Sequence, residues 1–395
     1  MRKRVISWLL TVVMVVSMLP TSVLADTLAA DQEQQTQQEQ IAPADTENTV
    51  PAEDEETQEQ QEPAPETPAP QMTSSGGAAP MLAAAGAVQN IGTAEAFAAM
   101  EPGGNYQLTA DITVTAPYGN DITGFTGFTG TFDGNGHTVT LDITASTANV
   151  GLFSKLAGGA VVKNVITAGS VTVDHTNKKS YVGGIAGYAN AYENPILIEN
   201  CKNTAAISGY KAVGGILGQG TNTNGITIYS CANTGTIAGA NTQIGGIAGS
   251  ITATATIESC YNTGDVNGFS NVAGIVGSGS SGTSLQVKNC YTTGQIGIIE
   301  GSSNLSYGLV GGGKNKCSVA NSYALENTAS SKALVPKANS SSYQIQIDDV
   351  SCFKPLDEMQ SAEFAATLGS AFRYNEGGYP TLKDPEPVVE KNVVS

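Results

Sequence analysis

The stretch IESCYNTGDVNG, residues 257–268, decides the fold, because the same pattern recurs three more times along the chain. A fixed period of about 30 residues indicates one small structural unit that is stacked on its copies. A unit this short cannot bury its apolar face alone, so the stack itself is the fold. The other copies are IENCKNTAAISG (198–209), IYSCANTGTIAG (228–239) and VKNCYTTGQIGI (287–298).

Each copy places the same residue types at the same distances from its cysteine. An aliphatic residue stands three positions before the cysteine, another stands six positions after it, and an asparagine or threonine stands two positions after it. Degenerate copies begin at Val162 and Val319, so the pattern predicts about six rungs with atypical ends. The cysteine column is Cys201, Cys231, Cys260 and Cys290, and the asparagine column is Asn203, Asn233 and Asn262.

A glycine-rich block separates the copies and reads YVGGIAG at 181–187 and QIGGIAG at 243–249. Each repeat therefore contains about three short apolar runs, rich in β-branched residues and bounded by Gly, Asn, Thr and Ser, which favours strands. The runs are too short for ordinary helices. These features predict an all-β parallel β-helix in which identical columns stack about 4.8 Å apart.

The columns have different predicted places in the coil. The aliphatic columns should fill the interior, the asparagines should form an amide ladder at a corner, and the cysteines should be reduced core thiols. The aliphatic residue and the cysteine are three positions apart, so strict alternation cannot point both inward, and a bend or bulge must lie between them. Cys317 and Cys352 fall outside the column, and a disulfide between them stays open.

The ends of the chain differ from the repeats in composition. Residues 1–25 combine a basic start, an apolar run and a small-residue cleavage site, as secretory signals do. Residues 26–70 hold 13 of the 35 acidic residues and no Lys or Arg, which predicts disorder. The predicted segments are a signal peptide (1–25), an acidic linker (26–88), an N-terminal cap (89–148), the repeats (149–325), a C-terminal cap (326–384) and a disordered tail (385–395).

Both caps carry local structural signals. Thr93 should cap a short helix at residues 94–100, and a second helix should run over 360–368 and end at Gly369. The sequence Asp-Gly-Asn-Gly at 133–136 is a strong turn signal and predicts a pair of strands around it.

Composition narrows the classes of partner. The formal net charge is −17, which makes nucleic acid and anionic membranes poor partners. No direct membrane span is expected once the signal is cleaved. Asp133 and Asn135 could in principle hold calcium, but a tight turn explains both residues. We therefore expect neither a metal nor a cofactor.

The chain resembles the GLUG-motif repeats of bacterial cell-surface proteins over about residues 89–383. The likeness is carried by the VGGIAG blocks, the NCYNTG-like blocks, FTGTFDGNGHTVT at 128–140 and NEGGYPTLK at 375–383. It implies a right-handed parallel β-helix module, with short helical caps here, within large secreted or wall-attached proteins. Some members are immunoglobulin A-cleaving zinc metallopeptidases, where such repeats lie outside the catalytic domain. The resemblance thus implies a surface module rather than a chemistry.

Catalytic patterns are weak in this sequence. Zinc peptidase chemistry needs a His-Glu-x-x-His helix, but the two histidines, His137 and His175, are better interpreted as turn and loop residues. A glycosidase needs paired carboxylates; Glu199 and Glu258 share a column, but Tyr229 stands between them. We predict no catalytic residue and no enzyme.

One column could bind a ligand. Tyr261, Tyr291 and Tyr323 follow the cysteine column on three consecutive rungs. If they face outward, they form an aromatic surface strip suited to sugar rings or to a partner protein. The alternative is that the rings stack on one another and stabilise the rungs.

These observations predict a bacterial module that is secreted or displayed at the cell surface. We expect it to have no catalytic activity and to space or present a binding surface at the cell envelope. It would be extracellular or associated with the cell wall, and its partner would be a host or bacterial glycan or a protein. Two alternatives are a polysaccharide-degrading β-helix lyase or hydrolase, and the non-catalytic repeat region of a larger surface peptidase or adhesin.

Overall fold

A computed structural model describes residues 86–120, 122–174, 180–279, 284–313, 316–336 and 344–384. Within these ranges the chain forms short strands and three helices, α1 (Ala94–Ala98), α2 (Leu356–Met359) and α3 (Ala362–Leu368). The first strands are β1 (Val88–Ile91), β2 (Asn105–Leu108), β3 (Ile112–Val114), β4 (Thr131–Asp133), β5 (Thr138–Ala145), β6 (Asn149–Val150), β7 (Phe153–Ala157), β8 (Val161–Lys163), β9 (Ile166–Val173), β10 (Tyr181–Gly183), β11 (Ala186–Asn190), β12 (Ile196–Glu199), β13 (Lys202–Asn203), β14 (Ala206–Gly209), β15 (Val213–Gly214) and β16 (Leu217–Tyr229). The others are β17 (Ala232–Asn233), β18 (Ile237–Gly245), β19 (Ala248–Glu258), β20 (Tyr261–Asn262), β21 (Val266–Ala273), β22 (Val276–Gly279), β23 (Ser284–Lys288), β24 (Tyr291–Thr292), β25 (Ile296–Ile298), β26 (Ser306–Tyr307), β27 (Lys316–Ala320), β28 (Tyr323–Leu325), β29 (Gln344–Ile347), β30 (Phe353–Lys354), β31 (Phe372–Arg373) and β32 (Thr381–Leu382).

The strands build a parallel β-solenoid from two long sheets. In the first sheet the path β1-β2-β4-β8-β12-β16-β19-β23-β27-β29 pairs each strand with its equivalent one turn away. Ile198 pairs with Ile228, which pairs with Ile257, so the predicted aliphatic column is in register. The prediction of an all-β parallel β-helix is therefore confirmed.

The solenoid has about eight turns, whereas the repeat pattern predicted six. Turns at both ends lack the cysteine column and were missed for that reason. β4 pairs with β8 in register and places Phe132 beside Val162, and β29 pairs with β27 and places Ile345 beside Cys317. These end strands keep the coil but fill it with other side chains.

A left-handed residue stands immediately before each cysteine and makes the bend that the spacing required. It lets both Ile198 and Cys201 point inward, each at most 1% exposed, although they are three positions apart. Asparagine tolerates this backbone region better than most residues. The column and its φ angles are Asn164 (55°), Asn200 (52°), Ser230 (53°), Ser259 (54°), Asn289 (53°) and Asn321 (46°).

Helix α1 closes the N-terminal end of the solenoid, and α3 covers one side of the coil near its C-terminal end. α1 begins at Thr93, whose hydroxyl accepts a hydrogen bond from the backbone N–H of Ala96 at 3.2 Å. Its Phe97 ring packs edge-on against Phe132 and Phe153, with centroids 5.6 and 5.9 Å away. At this end, packed aromatic rings therefore fill the interior in place of the aliphatic columns.

α3 begins at Ser361, whose hydroxyl accepts from the backbone N–H of Phe364 at 3.0 Å, and it ends at Gly369 with φ 100°. The predicted bounds of α1 (94–100) and α3 (360–368) agree with the observed ones within two residues. α2 and the antiparallel pair β31–β32 complete the C-terminal cap.

The two strands predicted around residues 133–136 are present as β4 and β5, but they do not pair with each other. The turn exists, and the backbone N–H of His137 donates to the carbonyl of Gly134 at 2.8 Å. However, β4 belongs to the first sheet and β5 to the second, so the turn is a corner of the coil. Turn residues serve coil corners and hairpins alike, because both need the same backbone angles.

Within the described ranges, no helix combines the length and apolarity that crossing a membrane demands. The predicted signal peptide, most of the linker and the C-terminal tail lie outside those ranges, as does His175.

Candidate functional sites on the solenoid

The asparagine column forms a continuous buried ladder. The side-chain amide of Asn203 donates to Oδ1 of Asn233 at 2.7 Å, and Asn233 donates to Oδ1 of Asn262 at 2.7 Å. Threonines end the ladder: the Thr167 hydroxyl donates to Asn203 at 2.9 Å, and Thr292 accepts from Asn262 at 3.2 Å. All these side chains are fully buried, so the ladder is structural.

The cysteine column lies beside this ladder and is equally closed to solvent. The thiol of Cys231 accepts from the backbone N–H of Cys201 at 3.4 Å and donates to the carbonyl of Tyr229 at 3.3 Å. Burial raises the pKa of the Cys201, Cys231 and Cys260 thiols well above the usual value of 9.0. Such thiols are poor nucleophiles and poor metal ligands.

All six cysteines of the chain are free. The sequence left a disulfide between Cys317 and Cys352 undecided, and the structure does not form it. Cys317 is buried in β27, and burial raises its pKa to about 12, whereas Cys352 is exposed near β30.

The tyrosine column is buried, which corrects the interpretation of Tyr261, Tyr291 and Tyr323 as a surface binding strip. Their exposed fractions are 5%, 0% and 2%. The C-terminal cap covers them: Phe364 of α3 packs edge-on against Tyr291 and Tyr323, with centroids 5.9 and 5.2 Å away. The column points out of the coil, but a later segment lies across it.

Mutual stacking, the alternative interpretation, is present on two of the three rungs. The Tyr261 and Tyr291 rings lie 5.2 Å apart and within 8° of parallel. The Tyr291 hydroxyl donates to the carbonyl of Pro380. Burial raises the pKa of all three phenols, most strongly that of Tyr291. The column therefore fastens the cap to the solenoid.

A charged column lines the outer face of the first sheet. Glu199, Tyr229, Glu258 and Lys288 are in register on successive strands. The Lys288 ammonium lies 3.1 Å from Oε1 of Glu258. Burial raises the pKa of Tyr229, and the carboxylates of Glu258 and Glu199 raise it further. The two glutamates are two rungs apart, about 9.6 Å between backbones.

At the turn of residues 133–136, the carboxylate of Asp133 already bonds to other groups of the protein. Oδ1 of Asp133 accepts from the backbone N–H of Asn135 at 2.8 Å and from the side chain of Asn164 at 2.9 Å, and Lys163 lies 3.4 Å from Oδ2. His137 contacts Asp111 at 3.2 Å on the exposed edge. In the part of the chain that the structure describes, no group of three or more His, Cys, Asp or Glu is placed to hold a metal ion.

The structure also shows a partly exposed aromatic pair that the sequence patterns missed. The rings of Tyr181 and Tyr188 lie 5.8 Å apart and 22° from parallel. The ammonium of Lys155 lies 5.8 Å from the centre of the Tyr188 ring. The tyrosines flank one glycine block, YVGGIAGY, and this flanking position is the only signal that could have indicated the pair.

Comparison with known proteins matches one stretch of the repeats to a known motif. The family model described as the GLUG motif matches residues 240–267, which include the end of β18, all of β19 and β20, and the start of β21. Halomucin of Haloquadratum walsbyi is 35% identical over 143 aligned positions, which cover 32% of this chain. The match spans only 2% of the length of halomucin.

A solved structure has the same fold. A crystal structure from Bacteroides ovatus, provisionally described as an immunoglobulin A1 protease, superposes with a TM-score of 0.54 at 21% identity. The match covers 74% of this chain and 91% of that one. At this identity the likeness concerns the fold alone. Residues 240–267 thus match the GLUG motif, and the repeats around them form a parallel β-solenoid.

Proposed function

We propose that the chain is a non-catalytic module, displayed at the outside of a bacterial cell, whose solenoid spaces and presents a binding surface. One observation carries the proposal: the asparagine and cysteine columns that recur along the repeats are buried and bonded inside the coil. The asparagine amides and the cysteine thiols bond to equivalent residues one turn away or to nearby backbone groups. Repetition has therefore preserved a scaffold, and recognition is left to residues that do not recur.

The comparisons support an extracellular location. GLUG motifs and the similarity to halomucin are consistent with a surface or extracellular protein. The secretory signal expected at residues 1–25 fits the same place. Because the halomucin match is a small part of that protein, the chain could equally serve as the repeat region of a larger adhesin or peptidase. Its own sequence carries no His-Glu-x-x-His motif.

Location is tested by labelling intact producing cells with antibody against the solenoid and by probing the culture supernatant. We expect signal on the cell surface or in the supernatant, and brief protease treatment of intact cells should remove the surface signal. Antigen found only after the cells are broken would contradict the proposal.

A polysaccharide-degrading enzyme is the second candidate, and Glu199 and Glu258 are the observation that favours it. A separation of about 9.6 Å between their backbones is near the upper end of the roughly 6.5–9.5 Å between carboxyl groups in inverting glycosidases. An ion pair argues against this candidate, since the Lys288 ammonium lies 3.1 Å from the Glu258 carboxylate. Incubation with a glycan panel decides: release of reducing ends or unsaturated uronate, abolished by Glu199→Gln, would replace the non-catalytic proposal.

A further inference from the structure

One column on the outer face of the first sheet differs from the other outward columns in chemistry. β7, β11, β16, β19 and β22 align it in register, and Lys155 is its one charged member. Tyr188 is partly exposed while its neighbour Ala189 is fully buried, so the column faces away from the coil interior; it is open to solvent at Lys155 and Tyr188 and closed at its two serines. We call it the Lys155 column; its members are Lys155, Tyr188, Gln219, Ser250 and Ser278.

The glycine corner brings a second strand against this column. A Cβ on Gly218 would lie 2.5 Å from the backbone nitrogen of Val182, so the strand that carries Gln219 passes directly beside the strand that carries Tyr181. This close approach allows the Tyr181 ring to stack on Tyr188. The Tyr188 hydroxyl shares a hydrogen bond of 2.9 Å with Oγ1 of Thr221, which holds the ring in place.

Two polar atoms in the Lys155 column are left without a protein partner. Oε1 of Gln219 and Oγ of Ser250 are buried and have no hydrogen bond to any described residue. Ser250 is 0% exposed. Both atoms are closed to solvent, so they are closed to a ligand on the outer face as well. The groups of the column that a ligand can reach are the Tyr188 ring and the Lys155 ammonium, which are both partly exposed.

The charge of the column points to an acidic ligand. Lys155 forms no ion pair with the described residues, and its ammonium lies over the Tyr188 ring instead. The chain as a whole carries a net charge of −17, so an unpaired cation between aromatic and amide groups is a local exception. A carboxylate would pair with it directly.

We propose that Tyr181 and the Lys155 column bind an acidic saccharide. The sugar ring packs against the tyrosine pair, and its carboxylate pairs with Lys155. The inference rests on the proposed function, because it names the class of ligand that the presented surface takes.

Two matched pairs of saccharides test the inference on the full secreted chain: 3′-sialyllactose with lactose, and tetragalacturonate with its fully methylated ester. Saturation-transfer NMR detects weak binding, and calorimetry gives the dissociation constants. We expect at least one acidic member to bind about tenfold more tightly than its neutral counterpart. Tyr181→Ala or Tyr188→Ala should weaken that binding about tenfold, and Lys155→Met should reduce it to the neutral level.

Matched controls separate this site from general attraction. Tyr192→Ala removes a 66% exposed tyrosine outside the column, and Lys288→Met removes a lysine from another column of the same sheet. Both variants should bind like the unmodified chain. The inference is overturned if none of the four saccharides binds, or if the controls lose as much affinity as the site variants. Either result leaves the proposed function standing, whereas cleavage of a bound saccharide would defeat the proposed function and keep the site.

Discussion

Asn203 and Asn233 are joined by a 2.7 Å hydrogen bond between side chains that are both fully buried. The same Asn203 amide also donates to the carbonyl of Ala205 at 2.9 Å, two residues further along its own turn. One side chain thus fixes a corner within a turn and the register between turns. Each link of the ladder repeats both contacts, so the ladder couples neighbouring turns more specifically than apolar packing does.

Replacing Asn233 by aspartate should therefore destabilise the middle of the solenoid strongly. The new carboxylate cannot donate to Gly235 or to Asn262, and it is buried without a cation. We expect a loss of about 3–5 kcal/mol in the free energy of unfolding at neutral pH. Denaturant titration followed by circular dichroism measures it.

The matched control is Asn267→Asp, because Asn267 is exposed on β21. It should change the free energy of unfolding by no more than about 0.5 kcal/mol. Equal stability of the two variants would show that the ladder does not couple the turns.

Ile237→Asp tests the interior column. Ile207, Ile237 and Val266 are in register and at most 1% exposed, so the change removes a buried aliphatic side chain and introduces a charge. We expect a loss of about 4 kcal/mol or more. The adjacent Ala238→Asp places the same charge on the exposed side of β18 and should be nearly neutral. Wild-type thermal unfolding of Ile237→Asp would refute the column assignment.

The left-handed column predicts an order among substitutions at Asn200. Its φ is 52°, and its amide donates to Oδ1 of Asn164 at 2.7 Å. Alanine loses the hydrogen bond and strains the backbone, so Asn200→Ala should cost about 2 kcal/mol. Glycine loses the bond without the strain, so Asn200→Gly should cost about 1 kcal/mol. The reverse order in thermal unfolding would mean that the backbone angle is not limiting.

Much of the repeat region could be predicted from residue spacing alone. The cysteine and aliphatic columns recur every 29 or 30 residues, and their register follows because identical strands pair across one turn. The spacing showed that each turn needs a bend between the aliphatic residue and the cysteine, but it did not show which residue makes it. Asn200 and Ser230 are ordinary loop residues in sequence, and only the coil geometry forces them into positive φ. The end turns were missed because they lack the cysteine column, and at the N-terminal end Phe132 also replaces the aliphatic residue.

The candidate site was harder to predict, because spacing says which residues share a column but not what covers it. Tyr291 is sealed by Phe364, which lies 73 residues further along the chain. Tyr181 and Tyr188 meet because a glycine corner folds the chain back on itself. Both relationships arise from tertiary contacts that no local pattern records.

The cysteine column predicts a loss of stability at alkaline pH. Burial raises the pKa of Cys260 above its usual 9.0, so the folded state keeps a proton that the unfolded state loses. The contribution is fully present below pH 9.0 and is lost as the pH rises toward the folded pKa. Each such thiol should lower the free energy of unfolding by about 1.4 kcal/mol per pH unit in that window.

Cys260→Val should reduce this slope by the share of one thiol, since valine already stands in the same column at Val165. Chemical unfolding between pH 8 and 10.5 gives the slope. Cys352→Ser, outside the core, is the control and should leave the slope as it is. A slope that Cys260→Val does not change would place the alkaline transition elsewhere.

Tyr291 should hold the C-terminal cap on the solenoid. Its ring contacts Tyr261, Phe364 and Phe372, and its hydroxyl bonds to Pro380, so Tyr291→Ala removes the centre of a buried cluster. We expect a local loss of about 3–5 kcal/mol, whereas Tyr291→Phe should cost about 1 kcal/mol because only the hydrogen bond is lost.

Since each turn of a solenoid contacts only its neighbours, amide exchange should accelerate in α3 while β16 and β19 stay protected. Tyr192→Ala, at an exposed position, should change neither region. Persistent protection of α3 in Tyr291→Ala would mean that the cap stands without the tyrosine column.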